Sequence, residues 1–439
     1  MKSNDAFLAA WEKTLARKGD APAIFDTSGQ VSRTFRDIDE KARSFETEIG
    51  AVAGQVHPID LGNHPDWPSI LLACLRLRRI ALPLEKSITA EQRAAALRMC
   101  EGEWGEDRPA LLKLTSGTTA APRAIRFRSE QLLADCSQIC HTMGLTEDDL
   151  NFAVIPLSHS YGFSNLVTPL LVFGVPIVLS RDRLPRAVLD DLARTGATVF
   201  PGMPIFYQAF CELEEAPPLP KLRLCISAGA PLPLEIAHKF REKFRHSIRS
   251  FYGSSECGGI CYDREANLLE AGFVGPPLQG VQIDMIEPGS PASRIRVRSA
   301  AAGDGYFPDP DPEKLGRGHF VPDDLLSRSE SGFRIVGRLS DVINVAGKKV
   351  NPAEVEAELL RFSGVRAAVV FGRGSTLRNE EVAACVVASA DVRETDLLDF
   401  CRGRLSGWQV PKRIFFVEEI PVNERGKVSR RELAQRFNA

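Results

Sequence analysis

The sequence is short of long apolar runs. Its longest mostly apolar stretch, residues 166–179, is broken by Thr168, Pro169, Gly174 and Pro176 and is too short to span a bilayer, so no membrane-spanning helix is expected. Charge of either sign is not in excess: 55 Lys and Arg nearly balance 57 Asp and Glu, a formal net charge of -2, which leaves no basic surplus for nucleic acid and no acidic tail. The ten cysteines contain no Cys-x-x-Cys pair and are too scattered for a disulfide framework, which argues against a zinc or dithiol site and against a stapled secreted fold. Cys136 and Cys140 are four apart, yet they share a helical face with Leu132, Leu133, Ile139 and Met143, the surroundings of core thiols. The first thirteen residues carry Lys2, Asp5 and Glu12 around a short apolar stretch and do not read as a signal peptide. Repeats and low-complexity tracts are lacking too. At 439 residues, 44% hydrophobic and 26% charged, the chain can bury the cores of two or more domains. We expect a soluble cytoplasmic protein whose partner is a small molecule, with no nucleic acid and no membrane.

What the sequence does have is the stretch 111–127, LLKLTSGTTAAPRAIRF. An apolar run ends at Thr115, and Ser116, Gly117, Thr118 and Thr119 follow. With so little side-chain bulk, the backbone N–H groups and four hydroxyls of this loop can face one anion, which makes a phosphate cradle. Gly-Lys-Ser/Thr does not close it, and a strand is expected after Pro122 and Arg123, so it is not a Walker loop. On this segment alone a plain polar hairpin is the alternative.

Helical spacing of Phe35, Ile38, Ala42, Phe45 and Ile49 predicts an amphipathic helix over 35–49. Ser129 can cap a helix running to about Met143. From Asn151 to Gly253 short apolar runs alternate with helical stretches, which predicts a mostly parallel, helix-covered sheet with ligands beyond the carboxyl ends of its strands. Residues 304–324 are rich in Gly, Pro and Asp, and a domain boundary is expected at GRLSD, residues 337–341. Asn351, Pro352 and Glu354 form a helix start in which Asn caps, Pro fits the first turn and Glu reaches back. The remainder alternates strand and helix as a small α+β domain does. The fold class is therefore α/β: a large multi-subdomain N-terminal α/β domain over 1–336, then a small C-terminal α+β domain over 342–439.

Five more segments follow the hydroxyl-rich loop in order. They are PLSHSYG at 156–162, SAGAPL at 227–232, Tyr252-Gly253-Ser254-Ser255-Glu256, VPDDL at 321–325 with GRLSD, and Pro421-Val422-Asn423-Glu424-Arg425-Gly426-Lys427-Val428. Together they resemble the acyl- and aryl-adenylate-forming superfamily of acyl-CoA synthetases and adenylation domains, over most of residues 30–430. The chain looks like a shortened member, since only residues 86–110 separate the strand ending in Pro83-Leu84 from the phosphate loop. Other departures are Arg123 where relatives usually carry Lys, Ala120 and Ala124 at positions commonly glycine, and Asp323 in place of glycine.

The resemblance implies a role for each segment. Thr115, Ser116, Gly117, Thr118, Thr119 and Arg123 would wrap the β- and γ-phosphates of ATP. Gly229, Ala230 and Pro231 would line the adenine, on which Tyr252 stacks beside Gly253. Ser255 would touch the acyl and phosphate oxygens, Glu256 would bind Mg²⁺, and His159 would face the acid; a satisfied core histidine is the alternative at that position. Asp324 would hold the ribose and Arg338 the ribose and phosphate. Lys427 would neutralise charge growing on the reacting oxygens. The activity implied is formation of an acyl-adenylate with release of pyrophosphate. A mobile lid then turns about 337–341, withdraws Lys427 and presents the loop at Ala346, Gly347 and Lys348 to a thiol, either coenzyme A or the phosphopantetheine of a carrier protein. Gly258 and Gly259 are expected to leave room for a medium or aromatic acyl group. The rival is a descendant that binds ATP or an adenylate without turnover and acts as a regulatory or interaction protein, motivated by Ala120, Ala124 and Asp323.

Overall fold

In the computed structural model, residues 5–50, 52–102, 104–105, 108–115, 123–182, 184–266, 270–290, 292–375, 379–421 and 428–437 are described. The chain forms two compact units. The larger comprises Met1–Asp284, Arg296–Pro322 and Arg328–Arg334; the smaller comprises Met285–Ile295, Asp323–Ser327 and Ile335–Ala439.

The larger unit carries an eight-stranded sheet in the spatial order Gly258–Tyr262, Ile248–Ser254, Leu224–Ser227, Val199–Gly202, Asn151–Ala153, Ile177–Leu179, Pro22–Phe25, Val31–Thr34. The six inner strands run parallel, and an antiparallel strand closes each edge. The four central strands, Leu224–Ser227, Val199–Gly202, Asn151–Ala153 and Ile177–Leu179, are buried on every residue, as expected of a sheet covered on both faces. Between them run the helices Pro185–Thr195, Pro204–Glu212 and Leu234–Phe244, in the alternation of strand and helix expected over residues 151–253. Phe200, Phe210, Tyr207 and Phe240 fill the space beneath them.

A second, five-stranded sheet has the order Gly305–Phe307, Ala124–Phe127, Leu111–Leu114, Ile80–Pro83, Val56–Ile59. The pair Leu111–Leu114 and Ala124–Phe127 is antiparallel, so a strand does follow the hydroxyl-rich loop. The helix Phe35–Ile49 forms as expected, with Thr34 and Asp37 in a reciprocal capping box. One start differs: the helix Ser129–Met143 is capped by Arg128, whose N–H donates to Gln131 Oε1 at 2.8 Å. Ser129 is already the first helical residue, and its hydroxyl donates to Asp5 Oδ2 at 2.5 Å.

The smaller unit is built on a five-stranded sheet containing the hairpin Ile343–Val345 with Lys348–Val350, the long pair Val365–Ser375 and Asn379–Ala388, and Arg413–Phe416 parallel to the latter. Helices Pro352–Leu360 and Glu394–Arg402 bury Val355, Leu359, Leu397 and Cys401 in one cluster, and Arg430–Arg436 adds Leu433 to a second around Phe371 and Cys385. Asn351 caps Pro352–Leu360 through the Ala353 N–H at 3.1 Å. Glu354 accepts instead from Gln409 Nε2 at 2.9 Å. Among the described residues no helix is long and apolar enough to cross a membrane.

At the amino ends of the parallel strands Asp149 ties three of them together. It accepts from Thr146 N–H at 3.0 Å, Thr198 Oγ1 at 2.8 Å and Arg223 Nε at 2.6 Å. Burial pushes its pKa up, but these hydrogen bonds and the Arg223 charge outweigh burial and hold it below the ordinary carboxylate value. Its contribution is therefore complete above the pH at which an unfolded aspartate ionises, about 4, and fades as pH falls through its lower folded value. Asp149→Ala is expected to cost about 2–3 kcal/mol of stability at pH 7, because three donors lose their acceptor. Chemical denaturation as a function of pH checks this: the gap from the parent protein should narrow below about pH 4.

Candidate active site

The motif segments of the larger unit collect at one edge of the parallel sheet because its neighbouring strands all end there. Leu224–Ser227 leads into Ala228, Gly229, Ala230 and Pro231, of which the last three are exposed. Gly229 has φ +87°, a conformation that suits glycine. The adjacent strand Ile248–Ser254 carries Tyr252, which is buried, and Gly253, then delivers Ser255 and Glu256. From Asn151–Ala153 the chain passes to His159, which is exposed and starts a short helix, its Nδ1 accepting from the Tyr161 N–H at 3.2 Å. The two turns touch: Ser160 Oγ donates to Ser255 Oγ at 2.9 Å.

A second set of groups arrives from the five-stranded sheet. Thr115 N–H donates to the Arg123 carbonyl at 2.8 Å and Arg123 N–H to Thr115 Oγ1 at 3.3 Å, which pins the two ends of the hydroxyl-rich loop to each other. Ser116, Gly117, Thr118 and Thr119 between them lie outside the described residues, as does Ala120. The Arg123 guanidinium lies over the Tyr306 ring, 4.0 Å from its centre, and the Tyr306 hydroxyl donates to Glu256 Oε1 at 3.2 Å. The basic residue of the loop and the acidic residue after Tyr252 thus share one aromatic neighbour. Glu256 is half-buried. Burial raises its pKa, opposed by hydrogen bonds that include the Tyr306 hydroxyl and by the charge of Lys314.

Gly258 and Gly259 do not leave the space expected of them. A Cβ on Gly258, which has φ +69°, would fall 1.9 Å from Asp135 Oδ1, and one on Gly259 would fall 2.6 Å from Leu278 Cδ2. These glycines admit close neighbours rather than an acyl group. Asp135 and Tyr306 escaped the reading of the sequence. Neither sits in a motif, and only a lone acid on an otherwise apolar helical face, or an aromatic in a Gly-Pro-Asp-rich stretch, hints at them.

In the smaller unit Arg338 Nε donates to Asp324 Oδ1 at 2.8 Å, so the structure brings together the two residues assigned to the ribose. Asp324 is buried, whereas Asp323 is exposed and uses its carbonyl to accept from the Leu339 N–H at 2.7 Å. The hairpin turn has left-handed Ala346 (φ +51°) and Gly347 (φ +85°), with Lys348 Nζ 3.8 Å from the centre of the Trp408 ring. Lys427 lies outside the described residues.

Among the described residues no group of three or more His, Cys, Asp or Glu could hold a metal. Glu256 offers one hard oxygen donor, which suits Mg²⁺, an ion that keeps several waters and completes its shell from phosphate.

Two family models match the chain: one described as AMP-binding enzyme over residues 101–307, the other as AMP-binding enzyme C-terminal domain over residues 354–427. A feruloyl-CoA synthase from an Amycolatopsis species is 30% identical over 350 residues, covering 76% of this chain and 71% of its own. A 3,4-dihydroxybenzoate–[aryl-carrier protein] ligase from Bacillus anthracis is 28% identical over 364 residues, covering 80% and 82%. Of solved structures, ATP-bound MatB from Rhodopseudomonas palustris aligns with a TM-score of 0.86 at 22% identity over 98% of both chains. The o-succinylbenzoate coenzyme A synthetase of Bacillus subtilis, in complex with ATP and magnesium ion, aligns at 0.83 and 22% over 97% of this chain and 98% of its own. At these identities the structures speak for the fold.

Tyr306→Phe keeps the ring beneath Arg123 and removes the hydroxyl from Glu256. Its expected effect is an apparent affinity for Mg²⁺ in the presence of ATP weaker by roughly five- to twelvefold, the loss of one hydrogen bond to a charged group, about 1–1.5 kcal/mol. Calorimetric titration of Mg²⁺ checks it; an unchanged affinity would detach Tyr306 from the carboxylate expected to hold the metal.

Proposed function

The chain belongs to the AMP-binding enzyme family, and on that premise we propose that the acid it activates is an aromatic carboxylate. It is an AMP-forming acid–thiol ligase. ATP and a carboxylic acid give an acyl-adenylate and pyrophosphate, and the acyl group then passes to a thiol. The observation that carries this reading is the contact chain Arg123, Tyr306, Glu256, which sets a phosphate-loop cation and a metal-type carboxylate on one ring. The two relatives whose printed substrates are ferulate and dihydroxybenzoate support the aromatic acid. Coenzyme A and a carrier protein's phosphopantetheine present the same thiol, and the relatives include both acceptors. Ten unpaired cysteine thiols suit a reducing, cytoplasmic setting.

In the first half-reaction a carboxylate oxygen bonds to the α-phosphorus as the bond to the bridging oxygen of pyrophosphate breaks. Two anions must meet, so charge neutralisation and alignment dominate the barrier. Arg123 meets the departing phosphates with a fixed fork of donors. Ser255, steadied by Ser160, offers its hydroxyl to the acyl and phosphate oxygens. With Nδ1 of His159 accepting a backbone N–H, the proton of the neutral ring resides on Nε2, which can donate to the acid. Mg²⁺ held by Glu256 would draw charge from the phosphate oxygens. Tyr252, Gly253, Gly229, Ala230 and Pro231 are assigned to the adenine, Asp324 and Arg338 to the ribose. Lys427 is assigned to the reacting oxygens, and a turn about residues 337–341 to its withdrawal before thiol transfer.

Pyrophosphate release across a panel of aromatic and aliphatic acids, with products weighed by mass spectrometry in the presence of coenzyme A, a carrier protein or neither, tests the reading. Release with aliphatic acids alone would overturn the aromatic assignment, and binding of ATP without turnover of any acid would favour a non-catalytic role. Lys427→Ala is expected to lower adenylate formation at least a hundredfold, as loss of one group that stabilises developing charge does, while thioester formation from supplied acyl-adenylate changes less than about threefold. Equal losses in both half-reactions would rule out the exchange of constellations.

A further inference from the structure

Lys113 is a lysine where the pattern calls for an apolar residue. It sits in the strand Leu111–Leu114 that enters the phosphate loop, and it is 5% exposed. Its ammonium group lies 4.8 Å from the ring centres of both Phe127 and Phe163. Two ring faces partly compensate a cation, but a buried ammonium needs an opposite charge as well.

Asp135, on the helix Ser129–Met143, is buried as deeply. Its Oδ2 accepts from Ser164 Oγ at 2.5 Å, next in the chain to the Phe163 ring that meets Lys113. Its Oδ1 accepts from the Gly259 N–H at 3.0 Å, and Gly258 is pressed against the same oxygen closely enough to exclude any side chain. Burial lowers the pKa of Lys113 and raises that of Asp135; the charge of each opposes the shift of the other, and the charge of Glu256 opposes it at Lys113 as well. Gly258 and Gly259 follow Glu256 by two and three residues. The strand before the phosphate loop thus supplies Lys113, the helix Ser129–Met143 supplies Asp135, the turn after Glu256 rests on the Asp135 carboxylate, and the adjacent residues Phe163 and Ser164 each touch one of the two groups.

We propose that Lys113 and Asp135 are positioning residues, a buried charge pair that fixes the Glu256 turn against the strand entering the phosphate loop. This rests on Glu256 as the metal carboxylate. Phosphates on the loop and a metal on Glu256 have to be bridged by the same ATP, so a drift between the two elements weakens Mg·ATP binding even when both are intact. The pair acts through backbone it holds; neither residue touches the nucleotide.

A double-mutant cycle on the full-length protein tests it, with Lys113→Met, Asp135→Asn and the two combined. The readouts are the thermal unfolding midpoint and the calorimetric Kd for ATP with and without Mg²⁺. Each single variant strands one buried charge or removes its counter-charge, so each is expected to lower the midpoint by roughly 5 °C and weaken Mg·ATP binding about tenfold. In the double variant the amide oxygen introduced by Asp135→Asn still accepts the Gly259 N–H, and no charge is stranded. Most of both losses should be recovered, to within about threefold in Kd. Additive losses in the double variant would overturn the proposal. So would midpoints that couple while Kd for Mg·ATP stays at the parent value in all three, since that describes a stabilising pair and nothing more. If Mg²⁺ fails to tighten ATP binding in the parent protein, the metal role of Glu256 falls instead, and the midpoint cycle still decides whether the pair exists.

Discussion

The two surfaces assigned to the triphosphate, at Arg123 and at Glu256, come from different sheets, and the constraint on the larger unit is to hold them in fixed register. The short strand Gly305–Phe307 meets that constraint from both sides. Tyr306 pairs with Ile125 in the hairpin that carries Arg123, yet its hydroxyl reaches Glu256 at the end of the parallel sheet. The backbone repeats the link: Gly303 N–H donates to the Glu256 carbonyl at 2.9 Å, and a Cβ at Gly303 would lie 2.7 Å from Ile125 Cγ2. A residue larger than glycine at position 303 would wedge the two sheets apart. Phenol and glycine together make the separation a property of packing rather than of a flexible loop.

Much of this architecture was legible because it is written locally. Parallel strands buried on both faces give unbroken apolar runs, helices between them repeat every 3.6 residues, and a loop after such a strand faces the ligand edge by topology alone. Thus the turns at Gly229, Ser255 and His159 could be assigned to one edge from the order of strands and helices. Caps were legible in kind and less so in detail. Ser129 is a good cap, but Asp5, 124 residues away, competes for its hydroxyl, and the cap moves back to Arg128. Glu354 could reach the Asn351 backbone, yet Gln409 takes its carboxylate. A tertiary partner outweighs a local one when it offers an equally good hydrogen bond.

The misread glycines have a different cause. An absent side chain at Gly258 is compatible with an empty site and with a crowded one, and sequence does not distinguish them. The crowding comes from Asp135, whose position depends on a helix more than a hundred residues earlier. Tyr306 and Lys113 were missed for the same reason, since each acquires its role from a neighbour far along the chain. Motif reading finds the groups that meet a ligand and passes over those that hold them.

The smaller unit has its own answer to the problem of register. Arg430, three residues beyond Lys427, donates to Asp341 Oδ2 at 2.7 Å, to Glu356 Oε1 at 2.8 Å and to the Val370 carbonyl at 2.9 Å. Asp341 closes the segment 337–341, Glu356 belongs to the first helix after it, and Val370 to the central strand pair. One guanidinium therefore binds the end of the proposed hinge to the body that carries the terminal lysine. A rotation there must take up its dihedral change ahead of Asp341, at Gly337 and its neighbours, because beyond Asp341 the backbone is fastened by three partners. Gly337 is itself held close, since a Cβ there would fall 2.5 Å from Asn351 Oδ1. For the proposed lid the freedom to turn would thus be confined to very few residues, which gives a hinge a defined axis.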